Sequence, residues 1–352
     1  MIVRNETHNY HNKLAFVFPL SAYQLALSVL LTLTLILCFF SLLIGPADLT
    51  VSQLIQGLLS SKDVNQAIWL VIYEVRLPRT LLALLIGAAL GASGAALQGY
   101  LRNPLAEPGL IGVSSGASLG AVLAFYSGLS ALYALAIPLS GIAGAFVAVL
   151  TVYFLAGKHN SPLTLILSGV AVSAFAGALT SLALSMSSNP FAIMEIVFWL
   201  MGSLADRSLT HLYLASPFIL IGCALIWSLG RDLDGMSLGE DVAHSLGVDL
   251  KRLQTRLVCG IALSVGAATS VAGAIGFVGL VAPHVLRPFS GGHPSKLITL
   301  SVFGGAVFML AADCAVRTLT PGHELKLGVL TSLIGAPFFL ILVLKMRREL
   351  AS

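Results

Sequence analysis

About ten stretches of roughly 20 apolar residues follow one another along this chain with short polar connections between them, so it can only fold across a lipid bilayer. The first, Leu25 to Ile44, reads LALSVLLTLTLILCFFSLLI and carries no charge. It is longer than the roughly 7–15 apolar residues of a signal-peptide core and has no A-x-A cleavage site, which makes it a retained first helix. The remaining runs place spans near 80–100, 107–127, 131–156, 162–187, 209–229, 256–274, 275–289, 296–316 and 326–346, with the first at 22–45. The stretch from Leu257 to Leu286 is glycine-rich and contains Pro283, and it reads equally as one long helix or two short ones. A further short helix is expected around Met194 to Leu204, with Trp199 at an interfacial position. Composition agrees: 57% of residues are hydrophobic, 10% are charged and the mean hydropathy is +0.95. The fold class is an all-α polytopic membrane protein. Residues 1–21 form a polar N-terminal segment and 22–352 a single transmembrane domain.

Orientation follows from lysine and arginine. With ten spans and a cytoplasmic N-terminus, 13 of the 19 basic residues fall on the cytoplasmic side, so both termini are expected there. Arg76 and Arg79 of the sequence EVRLPRT then face outward, together with Arg317, on the side that usually lacks positive charge. Two readings fit. The arginines snorkel to outer headgroups, or they form a fixed cationic patch awaiting an acidic partner, since a guanidinium pairs well with carboxylates.

Small residues recur at four-residue spacing, Gly87, Gly91, Ala95 and Gly99 in one run and Gly112, Gly116 and Gly120 in the next, so each set lines one helix face and lets backbones approach closely. The cysteines, Cys38, Cys223, Cys259 and Cys314, stand apart in apolar runs and read as small apolar side chains rather than metal ligands or a redox pair. The net charge of +4 is modest and no basic tract suggests nucleic acid.

The loop from Arg231 to Arg256 is RDLDGMSLGEDVAHSLGVDLKRLQTR. Leu238, Val242, Leu246 and Leu250 recur every four residues, giving short charged helices an apolar stripe, and Gly247 is placed to end one of them in the left-handed conformation. Glu240 and Asp241 suit an anionic membrane surface poorly, and docking into a groove of a cytoplasmic protein fits better.

The segments RLPRTLLALLIGAALGASGAALQGYLRNPLAEPGLIGVSSGASLG, LGEDVAHSLGV, GFVGLVAPHVLR and ELKLGVLTSLIGAPFFLILVLK, in that order from about residue 25 to the C-terminus, resemble the FecCD family, permease subunits of binding-protein-dependent ABC importers for iron-siderophores, haem and cobalamin. The resemblance implies a type II ABC importer permease fold with an inverted repeat, echoed here by the glycine-rich second and seventh spans. It implies that Arg76, Arg79 and Arg317 bind glutamates of a periplasmic or lipid-anchored binding protein. Gly239, Glu240, Asp241, Ala243, Leu246 and Gly247 then belong to the coupling helices that contact the ATPase subunit, and Asn103, Leu105, Asn160 and Ser161 to the cytoplasmic gate. The last pair lies in GKHNSP, where relatives often carry serine and threonine.

The same resemblance implies a homodimer with two ATPase subunits in the bacterial inner membrane. It also implies that the chain itself has no catalytic residue, metal site or cofactor, and that ATP and Mg are bound by the partner ATPase. In agreement, no G-x-x-x-x-G-K-[ST] occurs, and Gly157-Lys158 is followed by His159. The expected cargo is a ferric siderophore, with haem or cobalamin as the alternative. An ion-coupled secondary transporter would need mid-membrane acids, for which only Asp313 and Glu195 offer themselves, both expected near the outer boundary. An intramembrane enzyme would need clustered ligands, whereas His284, His293 and His323 fall in separate segments.

Overall fold

The computed structural model describes residues 21–45, 47, 49–59, 66–156, 162–319 and 325–351, and among these every regular element is a helix. Helix α1 (Ala22–Leu43) opens on a capping box, in which Ser21 Oγ accepts the Gln24 N–H and Gln24 Oε1 accepts the Ser21 N–H. Leu25, Leu35 and Phe40 on it are exposed, as a lipid-facing surface requires. After α2 (Val51–Leu59), α3 (Gln66–Leu70) runs through one wider π turn, Val71–Arg76, into α4 (Leu77–Leu101). These three pieces form one continuous helix of 36 residues, so the span expected at 80–100 begins well before residue 80.

Helix α4 is the core of the bundle, buried along most of its length. Its neighbours follow in the order α5 (Val113–Tyr126), α6 (Leu129–Leu132), α7 (Ala136–Ala156), α8 (Pro162–Met186), α9 (Pro190–Leu200) and α10 (Leu209–Ser228). Then come α11 (Gly230–Met236), α12 (Glu240–Ser245), α13 (Leu250–Ala272), α14 (Val278–Leu286), α15 (Pro294–Leu319) and α16 (Leu327–Ala351). Glycine explains why α4 and α15 lie so close. A Cβ added at Gly91 would stand 2.0 Å from the Ser301 carbonyl oxygen, and one at Gly305 would stand 2.1 Å from that of Gly87. Neither position can carry a larger side chain without separating the helices. The second glycine stripe works likewise between α5 and α7, where Gly120 meets the Ser140 backbone and Gly116 meets Gly144 and Ala148.

Among the described residues, eight helices are long and apolar enough to cross a bilayer, and two shorter apolar ones, α5 and α9, accompany them. Each of the ten expected segments contains a helix, and in two of them the helix is shorter than expected. The span expected at 275–289 is α14, whose nine residues reach only about 14 Å of a hydrocarbon core of about 30 Å. The span expected at 107–127 is a tight turn at Pro108–Ile111 followed by the 14-residue α5. Apolar composition misled at both places because glycine and proline break the helix while the surrounding side chains stay apolar.

Between α13 and α14 the chain leaves helix at Gly273 (φ 75°) and re-enters at Phe277 (φ 67°). Ala272 O at the end of α13 accepts the Ser203 N–H at 2.8 Å, Gly273 N–H donates to Thr269 O at 2.8 Å, and Gly276 O accepts the Val278 N–H at 2.9 Å. Non-helical backbone at this depth is tolerated where protein covers it, as at buried Gly273, which packs on Trp199 O and Gly202. The expected short helix near Met194 is α9, but Trp199 is buried, edge-on to Phe125 at 6.4 Å between ring centres.

Candidate docking and coupling sites

The three arginines singled out in the sequence converge at one end of α4, around the last turn of α1. A helix C-terminus presents carbonyls without intrahelical partners and a negative dipole end, which cations satisfy. Arg76 Nη1 donates to Leu42 O at 2.7 Å and Leu43 O at 2.6 Å, and its Nη2 to Ala47 O. Arg317 Nη1 donates to Ser41 O at 2.8 Å and Ile44 O at 2.7 Å, while its Nη2 donates to Ser41 Oγ at 2.6 Å. Ser41 Oγ lies 2.7 Å from Thr80 Oγ1, closing the cluster onto α4.

Asp313 is the centre of this arrangement, and charge reading of the sequence gave it no part. Its carboxylate is paired with Arg79 Nε at 2.9 Å and with Arg317 Nη2 at 2.8 Å. The side chain of Asp313 is 1% exposed, that of Arg317 7% and that of Arg79 18%. Arg76 is buried. Arg79 and Arg317 thus share one carboxylate beside Arg76, and the most accessible of the three guanidiniums is that of Arg79. Glu195, the other acid near an apolar run, is exposed on α9.

The other end of α4 carries the second predicted constellation. Gly239 (φ 113°) precedes α12, and Gly247 (φ 86°) ends it. The Gly247 N–H donates to His244 O at 2.9 Å and the Val248 N–H to Ala243 O at 3.0 Å, the paired bonds of a Schellman cap. Ala243 is fully buried against the bundle. Asp241 and Leu246 are exposed and Glu240 half-buried. Leu238 and Leu246, at 65% and 64% exposure, and Val242 lie on the outside with no cover among the described residues, whereas Leu250, the fourth residue of the expected stripe, is half-buried and packs against the core.

Two polar ties join this end to the bundle, and neither was legible in the sequence. Asp234 of α11 accepts from Ser295 N–H at 2.9 Å and Ser295 Oγ at 2.6 Å, capping the start of α15. Gln98 of α4 donates to Ala106 O at 3.2 Å and accepts from Arg287 Nη2 at 2.6 Å. Gln98 therefore holds the NPLA loop against α14. In that loop Asn103 is exposed and its Oδ1 accepts the Leu105 N–H at 2.9 Å, while Leu105 is half-buried. Asn160 and Ser161, expected as the other part of the gate, lie outside the described residues, as does His323. Among the described residues no three histidines, cysteines or acids come together as a metal site. Of the cysteines, Cys314 is buried, Cys38 and Cys223 are half-buried and Cys259 is exposed.

The chain resembles known proteins along most of its length. The chain is 38% identical over 333 residues to the hemin transport system permease protein HmuU of Yersinia pestis, covering 93% of this chain and 97% of the relative. It is 39% identical over 282 residues to the cobalamin import system permease protein BtuC of Halobacterium salinarum, covering 80% and 75% respectively. Among solved structures it matches a metal-chelate type ABC transporter in an inward-facing conformation with a TM-score of 0.81 and 35% identity, over 91% of this chain and 98% of that one. The model of the FecCD transport family matches residues 33–345, and the chain belongs to that family.

Proposed function

We propose that this chain is the membrane permease of an ATP-driven importer that carries a ferric chelate, a siderophore complex, inward across the bacterial inner membrane, with both termini cytoplasmic. The observation that carries the reading is the placement of two unlike surfaces at opposite ends of one buried helix. A cationic patch centred on Asp313 stands at one end, and a small helix with exposed Leu238, Val242 and Leu246 stands at the other. The first suits an acidic binding protein and the second suits a groove in an ATPase.

In this reading Arg79 and Arg317 meet carboxylates of the binding protein, and Arg76 fixes α1 beside them. Helix α12, flanked by Gly239 and Gly247, seats in the ATPase, which binds ATP and Mg. The assembly is two copies of this chain, two ATPase subunits and one binding protein. ATP-driven closure of the ATPases moves α12, and the cavity between the two permease copies exchanges its open side. The NPL loop carrying Asn103 and Leu105, with Asn160 and Ser161, closes the cytoplasmic mouth.

Relatives named for haemin and cobalamin keep a second cargo class in view. The test is uptake by cells lacking this chain, complemented with wild type and offered radiolabelled ferric siderophore, haemin or cobalamin in separate arms. Restored uptake of the ferric siderophore supports the proposal. Restoration of haemin or cobalamin uptake alone moves the cargo and keeps the machinery, and restoration of none overturns the importer reading.

A further inference from the structure

A second apolar groove has no part in the two sites above. It lies between α7 and α13, encloses about 770 Å³ and is lined by Phe146, Leu150, Tyr153, Thr255, Cys259 and Leu263, with Phe218 of α10 among its other walls. On α13 it extends from Thr255 to Ala267, about 18 Å along the helix. That length is about the depth of one leaflet, since the full hydrocarbon core is about 30 Å. Phe146, Tyr153 and Cys259 on its walls are exposed in the monomer.

At the Thr255 end, the first two turns of α13 carry Lys251, Arg252 and Arg256, all exposed. Arg252, Arg256, Cys259 and Leu263 follow one another at spacings of four, three and four residues, so the arginines continue the strip that forms the groove wall. No carboxylate stands within ion-pair distance of these three cations among the described residues. The acid nearest in sequence, Asp249, accepts the backbone N–H of Arg252 at 3.0 Å as the helix cap. Three cations at the headgroup level of a leaflet-deep apolar groove are complementary to one kind of molecule, whose acyl chain fills the groove and whose phosphate meets the arginines.

We propose that the groove between α7 and α13 is a binding site for an anionic phospholipid, with its phosphate held by Arg252 and Arg256, Lys251 adding positive charge, and one acyl chain lying along Phe146, Cys259 and Leu263. The groove lies outside the two sites above, and its cations close the loop that the transport reading sets beside the ATPase, so the test separates a lipid contact from a protein contact.

Native mass spectrometry of the full chain released from nanodiscs of phosphatidylcholine and phosphatidylglycerol in equal parts tests this. The wild type retains phosphatidylglycerol preferentially. Retention falls about fivefold for each cation removed in Arg252→Gln and Arg256→Gln. Ala262→Phe, which fills the groove and leaves the cations in place, also lowers it. Equal retention of the two lipids by the wild type overturns the proposal. So does unchanged retention in Ala262→Phe, which reduces the effect to surface charge. Unchanged lipid retention in the arginine variants, accompanied by weaker capture of the ATPase subunits, assigns the cations to a protein contact and likewise overturns it.

Discussion

Asp313 and Arg317 stand one helical turn apart on α15 and are paired at 2.8 Å, and the same carboxylate reaches across to Arg79 at 2.9 Å on α4. A buried acid in an apolar helix is costly in lipid unless it is paired. Here it is paired twice, which makes it the anchor of the arginine cluster.

Removing that anchor leaves two guanidiniums without their shared partner. Asp313→Ala is therefore expected to destabilise the folded chain by about 3 kcal/mol. Arg79→Ala, at the more exposed partner, should cost about 1 kcal/mol or less. Thermal unfolding of purified protein in detergent micelles reads the order, and equal midpoints for the two variants would contradict the central role given to Asp313.

Arg79→Gln keeps a hydrogen-bond donor for Asp313 and removes one positive charge from the most accessible position of the patch. Association with the binding protein should weaken by about tenfold and lose part of its salt dependence, with the folded permease intact. Arg76→Gln should instead lower the yield of folded protein, because Arg76 closes the end of α1. Surface plasmon resonance at two salt concentrations, beside expression yield, separates the two residues.

Leu238→Ser combined with Leu246→Ser changes only side chains that point away from the bundle. Co-purification of the ATPase should be lost while thermal stability stays within about 0.5 kcal/mol. Gly247→Ala strains the left-handed cap and should cost about 1 kcal/mol. Full ATPase capture by the double serine variant would remove the coupling role from this stripe.

Gly91→Ala inserts a methyl group into the contact with Ser301, and a loss of about 1–3 kcal/mol is expected from overpacking. The control is Gly177 on α8, where an added Cβ meets nothing within 4 Å. Gly177→Ala should leave the chain as stable or up to about 1 kcal/mol more so. Similar losses at both positions would mean that the close approach of α4 and α15 is not what glycine serves.

The long helices were legible because about 20 apolar residues in succession have one solution in lipid. The small helix α12 was legible from its four-residue apolar spacing and from Gly247. The broken segments before α5 and α14 were not, since Phe277 and Ile275 are as apolar as any helical residue and only the fold shows that neighbouring backbone covers the gap. The arginines announced themselves by their position, but their partner Asp313 is 234 residues away from Arg79 in the chain, and no local pattern reveals such a pairing. The ties from Asp234 to Ser295 and from Gln98 to Arg287 escaped notice for the same reason.

The close packing of α15 on α4 also has a mechanical consequence. Asp234 of α11 holds the first turn of α15 and Asp313 sits near its last, so one stiff helix joins the element that precedes α12 to the arginine cluster. Its 26 residues measure about 39 Å, so a tilt of about 5° at one end would carry the other through about 3 Å. That travel is comparable to the length of the ion pair it holds, and a rod of this kind needs no relay of side-chain rearrangements to make one face of the membrane sensitive to the other.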